Sequence, residues 1–377
     1  MKLASFRSLV SSKLIFRCPA KLTALVLAGL FVLTGCGSPR SGMSGKGAGP
    51  SLDSVSILEN PKDFVGPSSA ILADAQVDAV AKNPTPQLPV TVTDAQDRQV
   101  TVSDISRILP IDLYGTSSRI VFDLGLGANV VGRDTSTTFD QAQDLPLVTQ
   151  NGHELNAEAI LQLAPSVIIT DSSLGPWDVI EQMRQAGIPV VTLDSTRSLE
   201  NTAEMITAIA TALGVPEQGA KLAERTTKEI EAVTAKISDI APQGDRKLRM
   251  LLLYARGQSG IYYIFGKDSG ADSLITSLGG IDVATEIGWE GMKPMTDEAL
   301  VDAAPDLVIM MTGGLESVGG IEGITTSVPA LAHTPAGENQ RIVDMADSEL
   351  LSFGPNSAAV LEALSVAIYA PGEANGS

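Results

Sequence analysis

The chain contains one structural unit twice, on either side of a long helical stretch. The segments NAEAILQLAPSVIITD (156–171) and TDEALVDAAPDLVIMMT (296–312) each pass from a polar helix cap through a short helix to Ala-Pro and an apolar strand. Strands connected by helices in this way are typical of parallel sheets, which need crossover helices. The repeat therefore predicts two similar α/β lobes in a chain of 377 residues, which is long enough for two domains.

The helical stretch between the two repeats covers residues 216–240. Apolar side chains recur in it at helical spacing, at Leu222, Ile230, Val233 and Ile237. A helix of this length spans about 40 Å. We therefore expect an N-terminal α/β lobe over residues 90–215, a linking helix over 216–240 and a C-terminal α/β lobe over 247–377.

The first 35 residues have the composition of an export signal. Five basic residues and no acidic residue accompany the apolar run LTALVLAGLFVLTG (22–35), whose 14 residues fall short of the roughly 20 that span a bilayer. The run leads into LTGC (33–36), which resembles the lipobox of bacterial lipoproteins. That resemblance implies that Cys36 becomes the lipidated N-terminus. The alternative is an ordinary secretory signal with a chance cysteine.

The residues after this signal have the composition of a linker. The run GSPRSGMSGKGAGPS (37–51) is rich in Gly, Ser and Pro, which is typical of flexible chains. Alternating β patterns begin only with VTVTDAQDRQVTV (90–102), which predicts a hairpin. We therefore expect a flexible tether over residues 36–89.

The residue counts exclude several classes of partner and site. Acidic residues outnumber basic ones by 44 to 26, for a net charge of −18, which argues against a nucleic-acid partner. Both cysteines, Cys18 and Cys36, lie near the N-terminus, which excludes a disulfide or a multi-cysteine metal site in the body. The sequence has no H-E-x-x-H motif and no recognisable Ser-His-Asp set, so we do not expect an enzyme.

Three features together resemble one family of proteins. The segments GTSSRIVFDLGLGANVVGRD (115–134) and LNAEAILQLAPSVIITD (155–171) and the central helix are similar to the class III substrate-binding proteins of ABC importers. That class carries siderophores, cobalamin, haem or, in a related branch, metal ions. The resemblance covers about residues 90–370 and implies the class III periplasmic-binding-protein fold. In that fold two Rossmann-like lobes are joined by a single long α-helix, with a ligand cleft between them.

The resemblance places two loops of this chain at the cleft. Ligands of open parallel sheets bind beyond the carboxyl ends of the strands. The loop NGHELNAEAI (151–160) then presents His153 from the first lobe, and YARGQSG (254–260) presents Tyr254 and Arg256 from the second. Because side chains two residues apart in a strand share a face, Tyr254 and Arg256 are expected to project together.

These three side chains predict a haem site. Histidine and tyrosine are both axial ligands of haem iron, and a nearby guanidinium favours the phenolate form of tyrosine. The pattern is similar to the haem-carrying lipoproteins of Gram-positive haem importers, the HmuT type. That resemblance implies that His153 and Tyr254 ligate the iron of haem, the transported ligand, and that Arg256 hydrogen-bonds Tyr254. Two histidines, His153 and His333, are too few for a zinc or manganese carrier, and His333 is expected at the surface.

Other cargoes and classes remain open at this point. A ferric siderophore or a corrinoid such as cobalamin is the first alternative, on the same scaffold. A siderophore cleft is expected to hold more basic residues and needs no iron ligand from the protein. A surface lipoprotein acting as an enzyme or adhesin is the second alternative, and turnover in an assay would favour it.

The resemblance also implies partners. Asp178 and Glu316 lie just past matching strands of the two lobes, where acidic residues of this class dock into basic pockets of the permease. The alternative for both is solvated surface charge. We expect a monomer, anchored by lipid on the outer face of the cell membrane, that meets an ABC-importer permease with its ATPase and receives haem, free or from haem-donor proteins.

Overall fold

The computed structural model describes residues 49–73, 76–257, 262–294 and 296–374. The export signal (1–35) and the lipidation site Cys36 lie outside these ranges, so both stay predictions. Within the described ranges, no helix combines the length and the apolar character that a membrane crossing requires.

The strands and α-helices alternate along most of the chain. In chain order the strands are Ser68–Ala70 (β1), Val90–Thr93 (β2), Gln99–Val102 (β3), Ile108–Ile111 (β4), Thr149–Gln150 (β5), Glu154–Leu155 (β6), Val167–Thr170 (β7), Val190–Thr192 (β8), Arg249–Ala255 (β9), Tyr262–Phe265 (β10), Ile281–Asp282 (β11), Met292–Pro294 (β12), Leu307–Met311 (β13) and Ile342–Met345 (β14). The α-helices are Thr116–Val121 (α1), Ala157–Leu163 (α2), Trp177–Gln185 (α3), Thr202–Ala212 (α4), Pro216–Ile240 (α5), Ala271–Ser277 (α6), Val283–Glu286 (α7), Asp297–Ala303 (α8), Thr312–Ser317 (α9), Gly320–Ser327 (α10), Pro335–Glu338 (α11), Asp347–Leu350 (α12), Ser357–Tyr369 (α13) and Pro371–Ala374 (α14).

The N-terminal lobe is built on a parallel sheet in the order β4–β7–β8. All residues of these three strands are buried, which explains why they read as continuous apolar runs rather than as alternating ones. The predicted hairpin over residues 90–102 is confirmed by the antiparallel pairing of β2 with β3.

The C-terminal lobe is built on a larger mixed sheet in the order β1–β14–β13–β9–β10–β12, with β11 also paired to β9. The strands from β1 to β9 in this order run parallel, whereas β10 runs antiparallel to its neighbours β9 and β12. Strand β9 therefore lies inside the sheet, and its carboxyl end, with Tyr254, opens towards the same edge as the end of β13.

The repeated unit is observed in both lobes, as helix α2 before β7 and as α8 before β13. The side chains of Asn156 and Thr296 cap these helices by accepting hydrogen bonds from backbone N–H groups three residues later. Both helices end at an alanine in the left-handed conformation, Ala164 at φ 43° and Ala304 at φ 41°, directly before proline. The repeated unit thus has the same helix cap and the same left-handed alanine at its end in both lobes.

The linking helix α5 spans Pro216–Ile240, so its predicted bounds are confirmed. Its first half packs against α4 in the N-terminal lobe, and it also packs against α13 in the C-terminal lobe. Gly219 permits the first contact, because a Cβ atom there would lie 2.4 Å from the Cβ of Ala210. One rigid element therefore belongs to both lobes.

The prediction of a flexible tether over residues 36–89 is wrong for residues 49–73 and 76–89, which form a strand and pack on both lobes. Strand β1 extends the C-terminal sheet by pairing in parallel with β14, and Leu52 and Ala70 join the core of that lobe. Val77 and Val80 pack against the core of the N-terminal lobe. The local sequence around these residues does not reveal the contacts, because their partners lie far away along the chain. We call residues 49–73 and 76–89 the crossover segment.

The crossover segment follows the linking helix in the opposite direction. Near the start of the segment, Asp53 Oδ2 pairs with Lys236 Nζ at 2.6 Å, and further on Asp78 Oδ2 pairs with Arg225 Nη1 at 2.8 Å. Its contacts pass from the C-terminal lobe to the N-terminal lobe as the chain advances. The lobes are therefore connected a second time, before the N-terminal lobe begins.

A buried arginine holds the crossover segment to the C-terminal lobe. Arg341 is 1% exposed and donates hydrogen bonds to Ser68 Oγ at 2.9 Å, to the Ala367 carbonyl at 3.0 Å and to the Ile368 carbonyl at 2.8 Å. Its guanidinium also lies 4.9 Å from the ring centroid of Phe64. Burial lowers the pKa of Arg341 to about 10, so the side chain is still charged at neutral pH.

Replacing this arginine tests its contribution to stability. We expect Arg341→Met to lower the free energy of unfolding by about 2 kcal/mol, because the variant loses the buried hydrogen bonds of the guanidinium and leaves the Ile368 carbonyl without this donor. Arg246, which is exposed, provides the control, and Arg246→Met is expected to change that free energy by less than about 0.5 kcal/mol. Urea denaturation followed by circular dichroism measures both. Equal midpoints for the two variants would contradict the assignment.

Candidate functional site

The C-terminal wall of the site stands at the end of strand β9. Tyr254 is half-buried near the end of this strand, and Arg256 follows it as an exposed residue. Arg256 Nη1 donates a hydrogen bond to Tyr254 Oη at 3.5 Å, the long end of the range. The predicted projection of both side chains to one side is therefore confirmed. The same contact raises the pKa of Arg256, together with the negative charge of Asp347.

The N-terminal wall carries His153 at the tip of a short hairpin between β5 and β6. The chain reverses direction at Asn151 and Gly152, which both have positive φ. The φ of 93° at Gly152 is an angle that favours glycine. Thr135 Oγ1 anchors the turn by donating to the Gly152 carbonyl at 2.7 Å. The hairpin thus holds His153 in place just before helix α2.

The imidazole of His153 is held in its neutral form. Burial is the main cause that lowers its pKa, the positive charge of Arg256 lowers it further, and the negative charge of Asp347 acts in the opposite direction. Its Nδ1 is buried without a hydrogen-bond partner in the described part of the chain. A neutral imidazole is the form of histidine that binds metals.

The two walls share one electrostatic environment. Arg256 and Asp347 belong to the C-terminal lobe, yet both act on His153 in the N-terminal lobe. The charged groups that act on His153 therefore include residues of the opposite lobe.

Direct contacts between the lobes lie beside this space. Thr138 Oγ1 and Ser348 Oγ are 2.8 Å apart, and the Thr116 hydroxyl donates to the carbonyl of Ser352. Ser348 directly follows Asp347, whose Oδ1 accepts a hydrogen bond from the Gly313 N–H at 2.7 Å. The segment that carries Asp347 is thus fixed both to its own lobe and to the opposite one.

The carboxylates at the edge of the N-terminal sheet are occupied by internal contacts. Asp112, after β4, accepts hydrogen bonds from three backbone N–H groups, and Asp171, after β7, pairs with Arg197 at 2.5 Å. Asp134 is fully buried, and burial with the charge of Asp112 raises its pKa to about 7. These groups hold the sheet edge together. Among the described residues, no group of three or more His, Cys, Asp and Glu side chains could hold a metal ion.

Sequence reasoning missed two residues at the site. Tyr263 lies directly opposite Tyr254 on β10, with ring centroids 6.4 Å apart. Tyr262 and Tyr263 are adjacent in one strand, so only one of them can face the site, and the sequence does not say which. Asp347 gave no signal, because it lies far from the other site residues in the sequence. His333 is exposed, as expected.

Comparison with known proteins identifies the family. Residues 111–349 match the model of a family described as periplasmic binding protein. The chain belongs to the periplasmic binding protein family. The match covers most of both lobes and includes the linking helix, so the predicted class III fold and the resemblance on which it rested are confirmed.

Individual members of the periplasmic binding protein family narrow the comparison. A crystal structure of the heme-binding protein HmuT is 42% identical and covers 82% of this chain and 99% of its own, with a TM-score of 0.78. The periplasmic heme-binding protein RhuT from Roseiflexus sp. RS-1 is 34% identical over 70% of this chain and 99% of its own, with a TM-score of 0.64. YvrC of Bacillus subtilis, an uncharacterized ABC transporter substrate-binding lipoprotein, is 24% identical over 78% of this chain and 90% of its own.

The outer surface of this periplasmic binding protein carries the two acidic residues noted in the sequence. Asp178 lies in the first turn of α3, and Glu316 lies in α9. Both are exposed, and their helices follow β7 and β13, the equivalent strands of the two repeated units. They therefore occupy corresponding places in the two lobes.

Proposed function

We propose that this periplasmic binding protein captures haem in the cleft between its lobes and delivers it to the permease of an ABC importer, whose ATPase drives uptake. The observation that carries the proposal is the hydrogen-bonded pair of Tyr254 and Arg256 at the end of β9, together with His153 and its unpartnered Nδ1 on the hairpin of the other lobe, which direct contacts join to this one. An imidazole and a phenol on opposite walls are suited to the two axial positions of haem iron, whose other four positions the porphyrin occupies.

The chemistry of each ligand supports this assignment. Since Nδ1 of His153 is buried, Nε2 is the nitrogen left to reach the iron, and the lowered pKa keeps it unprotonated at neutral pH. A tyrosine ligand binds iron as the phenolate. The guanidinium of Arg256 stabilises that negative charge by a hydrogen bond that strengthens as the phenolate forms.

The relatives support haem as the cargo. HmuT and RhuT are both named as heme-binding proteins, and HmuT is 42% identical over nearly its whole length. HmuT has also been solved with a histidine, a tyrosine or an arginine replaced by alanine, and the tyrosine and arginine concerned are two residues apart, as Tyr254 and Arg256 are here. A ferric siderophore supplies its own donor atoms and would need neither ligand.

The two histidines of the chain provide a matched test of the iron site. We expect the mature protein to bind one haemin with a Soret band, and His153→Ala to weaken binding by at least tenfold and shift that band, because one axial ligand is lost. His333→Ala, at an exposed position, should bind like the wild type. Absorbance titration with haemin measures all three. Absence of a Soret change in the wild type would refute haem as the cargo, whereas equal affinities of the two variants would remove His153 as a ligand.

The two cysteines test the membrane anchor in the same way. We infer from the lipobox, with support from the lipoprotein relative YvrC, that Cys36 carries the lipid on the outer face of the membrane. Cys36→Ser should release the protein into the soluble fraction, whereas Cys18→Ser should leave it bound, because residue 18 is removed with the signal. Membrane fractionation and immunoblotting give the readout. Retention of the Cys36 variant in the membrane would contradict lipidation at this residue.

Asp178 and Glu316 are proposed as the residues that dock on the permease. Their exposed, corresponding positions on the two lobes suit a partner that contacts both lobes at once. Charge reversal by Asp178→Lys or Glu316→Lys should leave haemin affinity unchanged and lower haem-dependent growth of cells in which this protein is the sole haem carrier. The same reversal at exposed Glu158, on α2, is the control. Growth equal to the control would reject the docking role.

A further inference from the structure

The ligand candidate Tyr254 has an aromatic neighbour across the sheet. Strand β10 pairs with β9 so that Tyr263 lies directly opposite Tyr254, and β12 pairs with β10 so that Pro294 lies opposite Tyr263. Directly paired residues in antiparallel strands place their side chains on the same face. The rings of Tyr254 and Tyr263 are 6.4 Å apart between centroids and inclined by 52°. Tyr263 therefore stands beside Tyr254 at the cleft end of the sheet.

The adjacent tyrosine has a different environment. Tyr262 points to the other face, packs against the hydrophobic core around Leu253 and Val318, and donates its hydroxyl hydrogen to the carbonyl of Ser327. Tyr263 is half-buried but is not part of a hydrophobic core cluster in the described structure. Packing thus explains Tyr262 and leaves the exposed part of the Tyr263 ring without an explanation.

We propose that Tyr263 is a second cargo-contacting residue, which packs its ring against the macrocycle beside the iron ligand and favours a flat, aromatic cargo. The inference rests on the proposed function. A macrocycle bound to Tyr254 through its central metal extends outwards from that ring in every in-plane direction. The Tyr263 ring lies 6.4 Å from the Tyr254 ring and on the same face of the sheet, so a macrocycle held at Tyr254 would extend over it, and aromatic groups in contact attract one another.

The contact would come from a different strand than the contact of Arg256. Arg256 approaches Tyr254 along the same strand, whereas Tyr263 approaches from the next strand. The guanidinium donates a hydrogen bond to the hydroxyl of Tyr254, whereas the Tyr263 ring would pack against the face of the cargo. Tyr263 is therefore expected to change affinity without changing the ligation of the iron.

Haemin titration of variants at the two adjacent tyrosines tests this inference. Tyr263→Leu should weaken haemin binding about tenfold, because the aromatic surface is lost, and should leave the positions of the Soret and visible bands unchanged. Tyr263→Phe keeps the ring and should retain the affinity of the wild type. Tyr262→Phe removes only the hydroxyl on the other face and should also bind like the wild type.

The possible outcomes separate this inference from the proposed function. A wild-type protein without a Soret change would refute haem binding itself. If the wild type binds haemin and Tyr263→Leu binds equally well, only the role of Tyr263 is overturned. A Phe variant as weak as the Leu variant would assign the effect to the hydroxyl, and a shifted Soret band in the Leu variant would assign it to iron ligation. Either result overturns the proposed ring contact. Circular dichroism melting of each variant confirms that the fold is intact.

Discussion

The linking helix α5 is the constraint on which the site depends. Each of the two candidate iron ligands belongs to a different lobe, so the site exists only if the lobes keep their relative position. A single helix that packs against α4 in one lobe and α13 in the other transmits that position as a rigid element. The close approach of Gly219 to Ala210 shows how tightly the first of these contacts is made.

The crossover segment strengthens the same constraint. It joins the C-terminal sheet as strand β1 and packs on the N-terminal lobe with Val77 and Val80. Two ion pairs also connect it to the linking helix. Surface ion pairs contribute little by themselves. The larger contributions come from the strand pairing, from the buried apolar side chains and from Arg341 with its buried hydrogen bonds. The two lobes are thus joined by two chain segments rather than by one.

Arg256 links the chemistry of the two walls. Its guanidinium donates a hydrogen bond to the Tyr254 hydroxyl, and its positive charge adds to burial, the larger cause, in lowering the pKa of His153. The negative charge of Asp347 acts on the pKa of His153 in the opposite direction. The buried carboxylates Asp112 and Asp171 of the N-terminal lobe are instead held by backbone N–H groups and by Arg197.

The sequence by itself determined the features that depend on neighbours along the chain. The bounds of α5, the hairpin at residues 90–102, the Ala-Pro ends of the two repeated helices and the shared side of Tyr254 and Arg256 all follow from local periodicity and capping. Tertiary structure alone decided the rest. The tether prediction failed because β1 pairs with β14, about 275 residues away, and no local pattern specifies such a partner. The same reason hid Asp347 and left Tyr262 and Tyr263 undistinguished, since only the pairing of β9 with β10 and the packing of the two lobes decide which groups meet at the cleft.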